Sequence, residues 1–268
     1  MTTAQRIIKY CAVAFAVSLI VSIIGGIFGA VSSLSALSGD GDALGEMQTY
    51  AVPAAVENLE VDLSGARLEI KEGSEFSVES DHKYLKVAAA DGTLSIKEER
   101  PVLHSEGARV ILTVPRDFAF EQVTISAGAG TVKADTLLSE KLSLDLGAGE
   151  ADIGHLTATV KAVVNSGAGE LKIGGGELAN LDLDIGVGEA ELKSRLTGSC
   201  SIDYGVGELE LTLAGTREDY CITLDKGVGT ATLDGVKMTD DTVYGDGETF
   251  IGIDGGIGEI RVGFAPLP

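Results

Sequence analysis

The stretch Leu181-Asp182-Leu183-Asp184-Ile185-Gly186-Val187-Gly188-Glu189-Ala190-Glu191-Leu192 is followed, nineteen residues on, by Cys200-Ser201-Ile202-Asp203-Tyr204-Gly205-Val206-Gly207-Glu208-Leu209-Glu210-Leu211. Apolar and polar residues alternate on both sides of a Gly-x-Gly triplet, and period-two alternation marks a β-strand with one face buried and one wet. The triplet recurs as Gly128-Ala129-Gly130, Gly147-Ala148-Gly149, Gly167-Ala168-Gly169, Gly186-Val187-Gly188, Gly205-Val206-Gly207, Gly227-Val228-Gly229 and Gly256-Ile257-Gly258, at spacings of 19, 20, 19, 19, 22 and 29 residues. Five and three residues before each first glycine the side chains are apolar, from Val123/Ile125 to Ile251/Ile253. The same holds four and six residues after it, from Val132/Ala134 to Ile260/Val262. A further apolar residue (Leu138, Leu156, Leu178, Leu196) falls in several connecting segments.

Gly-x-Gly could close antiparallel hairpins, or it could form the corners of a parallel solenoid whose coils are about 19 residues long. Stacked coils bring equivalent positions into columns about 4.8 Å apart, which explains why one residue type recurs at one place in every unit. Proline points the same way. None occurs between Pro115 and Pro266, and each would remove a ladder N–H. The expected fold is therefore all-β: a single-stranded parallel β-solenoid (β-helix), regular over 121–265, with the fourteen triplet glycines as structural corners. Residues 50–120 alternate in the same way with less regular punctuation, at Gly65, Gly73, Gly92 and Gly107, and read as irregular coils. The whole would be a rod roughly 50 Å long. Pro266 and Pro268 would blunt its last strand edge.

Upstream, no charged residue stands between Tyr10 and Gly39. About 20 apolar residues cross a ~30 Å hydrocarbon core, so 10–31 reads as one transmembrane helix. Arg6 and Lys9 precede it and Asp40, Asp42 and Glu46 follow. The positive-inside rule then leaves 1–9 in the cytoplasm and places the main domain outside, a single-pass protein of the cell membrane. The rival reading, a cleaved signal peptide, normally has an apolar core of only 7–15 residues. Residues 32–49, rich in Ser, Gly and Asp, read as a linker.

The 268 residues carry 41 acidic and 20 Lys+Arg side chains, a net charge of −21, which argues against nucleic acid as a partner. A hydrophobic fraction of 44% is enough to build a core and excludes wholesale disorder. Acid also falls in columns. Glu150, Glu170, Glu189, Glu208 and Glu259 stand three residues after the first glycine, and Asp145, Asn165, Asp184, Asp203, Asp225 and Asp254 two before it. Like charges ~4.8 Å apart repel by about 0.9 kcal/mol in water, with Lys172 and Arg261 placed to offset this. One reading is a Ca²⁺-binding ladder through Glu150, Glu170, Glu189, Glu208, Asp184 and Asp203; the other is a solvated face that keeps the rod soluble. Asp240, Asp241, Asp246 and Glu248 form a second acidic group in the long segment 234–250, where a partner contact or a plain insertion are both open, and Tyr204, Tyr220 and Tyr244 near it would make a thin sugar platform.

No triplet completes a nucleotide-binding G-x-G-x-x-G, and no protease, thiol-redox or nucleophile-elbow motif occurs, so no cofactor and no catalytic residue is expected. His82, His104 and His155 stand at no metal-ligand spacing and read as surface residues. Cys200 and Cys221 fall in consecutive units but should face apart, which opposes a disulfide and leaves Cys200 as a buried, apolar-like residue.

The run Gly92-Thr93-Leu94-Ser95-Ile96-Lys97-Glu98, then Val110-Ile111-Leu112-Thr113-Val114-Pro115-Arg116-Asp117, then the Gly-Ala-Gly coils from Val123, resembles the bacterial DUF4097-type β-strand-repeat family of adhesin-like proteins over about 50–265. The resemblance implies a β-helical extracytoplasmic domain, often on a membrane anchor, and links some relatives to the cell-envelope stress response. It carries no catalytic residues, and the segment Asp234–Phe250 departs from the regular pattern. The function expected is a non-enzymatic scaffold, adhering to or interacting with an envelope protein or polysaccharide. Two alternatives remain, a regulatory ectodomain in envelope stress and, with its short loops and few basic residues against it, a polysaccharide-active enzyme.

Overall fold

The computed structural model describes residues 44–52, 55–99, 107–240 and 242–266. The expected transmembrane helix 10–31, the segment 1–9 and most of the linker lie outside these residues. Among the described residues no helix is long and apolar enough to cross a membrane. One strand, Leu44–Ala51, begins inside the segment read as linker.

The domain is all-β, with parallel ladders between successive coils. All 28 side chains expected to point inward around the triplets are buried. In the first five triplets the residue just before the first glycine joins them as a further buried column: Ala127, Leu146, Ser166, Ile185 and Tyr204. In the connecting segment before the second triplet the buried residue is Leu137, not Leu138, whereas Leu156, Leu178 and Leu196 are buried as expected.

Five of the seven triplets are bends within continuous strands, as in Asp182–Thr197 and Ser199–Ala214, which each run unbroken through one; the first triplet and Gly227 fall where two strands meet. A Cβ on any of the fourteen glycines would meet a backbone carbonyl oxygen of the neighbouring coil at 1.8–2.7 Å. Glycine is required because the backbones touch. Positive φ adds to this at the second glycine of later coils, such as Gly207 (φ 137°), and at one first glycine, Gly227 (φ 58°).

Stacking order departs from chain order. From one end of the stack to the other, nine coils are formed by the described residues: coil 1 (93–98 with 109–115), coil 2 (58–63 with 67–73), coil 3 (119–134), coil 4 (138–154), coil 5 (158–173), coil 6 (177–192), coil 7 (195–214), coil 8 (249–265) and coil 9 (220–233). The first coil in sequence lies second, and the last lies between coils 7 and 9. Pro266 therefore ends a strand inside the stack and does not blunt its edge.

Both outer coils are closed in the same manner. At one end Ser77–His82 and Leu85–Ala90 pair antiparallel with the two strands of coil 1, and Leu44–Ala51 pairs antiparallel with the first of these lids. At the other, Val243–Tyr244 and Val236–Lys237 pair antiparallel with coil 9. The segment 234–248 is thus a lid and a crossover, with Met238 wholly buried beneath it. Such covers protect ladder edges that would otherwise pair with another chain.

Candidate functional site

The acidic columns run along the outside of the stack in the stacked order. Asp184 faces Asn165 on one side and Asp203 on the other, Asp203 faces Asp254, and Asp254 faces Asp225. In the second column Glu170, Glu189, Glu208 and Glu259 are consecutive rungs. Basic groups relieve the crowding at particular points. Arg261 holds Glu259 at 2.6 Å and Glu208 at 3.2 Å, and Lys133 lies 3.9 Å from Glu150. Asn165 donates to Asp145. Lys172, expected to offset its own column, instead bonds Glu191 at 3.5 Å. Hydrogen bonding from Lys193, with help from the charge of Lys172, holds the Glu191 carboxyl below its ordinary range.

The six carboxylates proposed as Ca²⁺ ligands (Glu150, Glu170, Glu189, Glu208, Asp184 and Asp203) lie in rows rather than around a point. Among the described residues no group of three or more His, Cys, Asp or Glu gathers as a metal-binding set. A row spaced by the ladder does not by itself gather the six to eight oxygens of a Ca²⁺ shell.

Other sequence candidates divide differently from expectation. His104 and Asp241 lie outside the described residues, and His155 is exposed. His82 is not a surface residue: its side chain is sealed in the first lid with Glu98, Nε2 to Oε1 3.1 Å. The Tyr84 amide donates to His82 Nδ1 and the Ser64 amide to Glu98 Oε2. Because Nδ1 accepts, Nε2 carries the proton donated to Glu98. The sequence shows nothing of this, since the partners come from lid, coil 1 and coil 2. Asp240 accepts from the amide and the ammonium of Lys226, which hold its carboxyl low.

The three tyrosines form no platform. Tyr220 is core, donating to Ala214 O at 2.7 Å and stacked on Phe264. Tyr204 is buried at the seam of coils 7 and 8, donating to Ile257 O, and desolvation pushes its hydroxyl up to about 12. Tyr244 bonds within its own lid. Cys200 is buried, which raises its thiol, and both described cysteines are free. The units of Cys200 and Cys221 are consecutive in sequence but not in space, because coil 8 separates them.

A profile of the Toastrack DUF4097 family matches residues 56–253. The chain belongs to the DUF4097 Toastrack family. No curated protein matches this Toastrack chain. Among solved structures it is similar to a candidate cell adhesion protein from Clostridium sporogenes, at 13% identity, covering 82% of this chain and 99% of that one with a TM-score of 0.38. It is also similar to a candidate adhesin from Bacteroides fragilis (14% identity, 81% and 96% covered, TM-score 0.37) and to a candidate lipid-binding protein from Parabacteroides distasonis (13% identity, 83% and 98%, TM-score 0.41).

On the outer wall of coils 5 to 9 the Toastrack domain has an open groove of about 770 Å³. Phe250 stands in it, 58% exposed, between Ser199 and Cys221 on the neighbouring coils. Gly252 lies two residues along the same wall, between Ser201 and Thr223. The alternation places Phe250 outward, six residues before Gly256. That signal is present in the sequence, as an aromatic residue at an outward position of the alternation.

Proposed function

We propose that this Toastrack protein is a non-enzymatic scaffold, held in the cell membrane by residues 10–31 and presenting its solenoid outside the cell for adhesive or envelope contacts. The observation that carries the reading is the wall itself. Its outward side chains repeat in straight rows from coil to coil, which offers a flat extended surface of the kind repeat proteins use for binding. The His82–Glu98 pair, which in a cleft would suggest acid–base work, is shut away from solvent and committed to backbone amides. The charge-free run between Tyr10 and Gly39, with basic residues before it and acidic ones after, supports the anchor and its orientation.

The test is pulldown with the full chain from native envelope, with and without chelator, alongside fractionation and protease treatment of intact cells. The protein should sediment with membranes, with its solenoid open to external protease, and it should retain envelope components whether or not chelator is present. Recovery in the cytosol, or turnover of anionic polysaccharides, would overturn the proposal.

A further inference from the structure

We infer that the groove around Phe250 is a binding site for a neutral saccharide, one or two pyranose rings of a longer glycan. The inference deepens the scaffold reading and rests on it in one respect, that the domain binds without catalysing.

The geometry comes from rows. In the outward row of Phe250 the preceding coils carry long polar side chains, Gln122, Lys141 and Lys161, and then Asn180. Where coil 8 enters the stack, that row changes to Ser199, Phe250, Cys221. The adjacent outward row becomes Ser201, Gly252, Thr223. One aromatic ring therefore rises from a floor of small side chains, and the missing side chain of Gly252 leaves a depression beside it. The floor measures two rungs along the strand, about 7 Å, by three coils, about 10 Å. That suits a sugar ring or two and is far below the ~800 Å² per partner of a stable protein interface.

The chemistry fits as well. A pyranose presents an apolar C–H face to an aromatic ring, whose π face is electron-rich. Its hydroxyls need donors and acceptors around the edge, and the hydroxyls of Ser199, Ser201 and Thr223 supply both. Asp203, Asp254 and Asp225 form the next outward row, where carboxylates accept from sugar hydroxyls more strongly than neutral oxygens do. The same row repels sulfated or uronic-acid glycans, so a neutral ligand is favoured. The site is assembled by the crossover, since Phe250 and Gly252 reach their neighbours only because the last coil in sequence lies between coils 7 and 9.

The experiment uses the full chain in a detergent without a sugar headgroup, with maltotriose, cellotriose and chitotriose as probes, followed by saturation-transfer NMR and calorimetry. At least one probe should bind, with transfer to its C–H protons. Phe250→Ala should weaken it about tenfold or more. Gly252→Val, whose Cβ would meet nothing closer than 3.8 Å, should fill the depression and weaken binding with the aromatic still in place. Thr124→Val, in the row of Gly252 but far along the wall at coil 3, should change nothing. Binding of none of the three probes, or equal affinity in Phe250→Ala, overturns the inference and leaves the scaffold reading standing. Breakdown of a probe overturns the scaffold reading instead.

Discussion

Coils 4 to 7 follow one another in space as they do in the chain, whereas at either end a coil from one terminus is slipped between two others and then lidded. The middle is held by repetition: each corner glycine rests on the carbonyl of the coil before it, and each inward position adds to one apolar column. The ends are held by particular residues. Ser64, His82, Tyr84 and Glu98 tie coil 2, the first lid and coil 1 together. Tyr204, Arg261 and Glu208 stitch coil 8 to coil 7 across 53 residues of sequence. Repetition sets what a coil is; the singular contacts set where the series stops.

The contrast can be broken most severely in the middle. Gly207→Val would drive a Cβ to 1.8 Å from the Gly188 oxygen at a φ of 137°. It should abolish folding or lower denaturant stability by more than about 4 kcal/mol. Gly235→Ala in the C-terminal lid also has positive φ, 75°, but open space around it; it should lower stability by only about 1 kcal/mol. Equal effects would mean that backbone conformation, not coil contact, sets the need for glycine.

Next comes the sealed pair at the first lid. Glu98→Ala leaves the His82 ring N–H and the Ser64 amide without their acceptor and should reduce stability by about 2–5 kcal/mol, about 1–3 for each buried donor left unpaired. Hydrogen exchange should show the loss first in Ser77–His82 and Leu85–Ala90, with coils 5 and 6 opening later. Uniform loss throughout the stack would remove the distinction between ends and middle.

The smallest effect is at the seam. The folded state keeps Tyr204 protonated up to about 12, whereas an unfolded tyrosine ionises near 10. Between those values the unfolded chain binds fewer protons, so stability should fall as pH rises from 10 and level off above 12. Tyr204→Phe should flatten that slope in denaturation curves measured across the range; an unchanged slope would assign it to other groups.

Sequence periodicity exposed the coil because inward and outward positions are written in every unit. It could not expose stacking order, because a coil's two edges look alike from its own residues and any neighbour with the same rows will pair. The unequal final spacings of 22 and 29 residues were the trace of the crossover at that end. The acidic rows were legible too, though not all of the groups that pair with them, since Lys172 turns to Glu191 and Asn165 to Asp145. His82 was misread because burial of a lone polar residue depends on partners scattered from position 64 to 98.

The placement of coil 8 also orders events in time. A polypeptide that emerges N-terminus first would form the coil of 220–233 before its neighbour exists, and then wait with a bare ladder edge until Thr249–Ala265 arrives to fill the gap. Final closure belongs to the moment the last coil is complete, and until then that open edge is the part of the molecule most exposed to pairing with another chain.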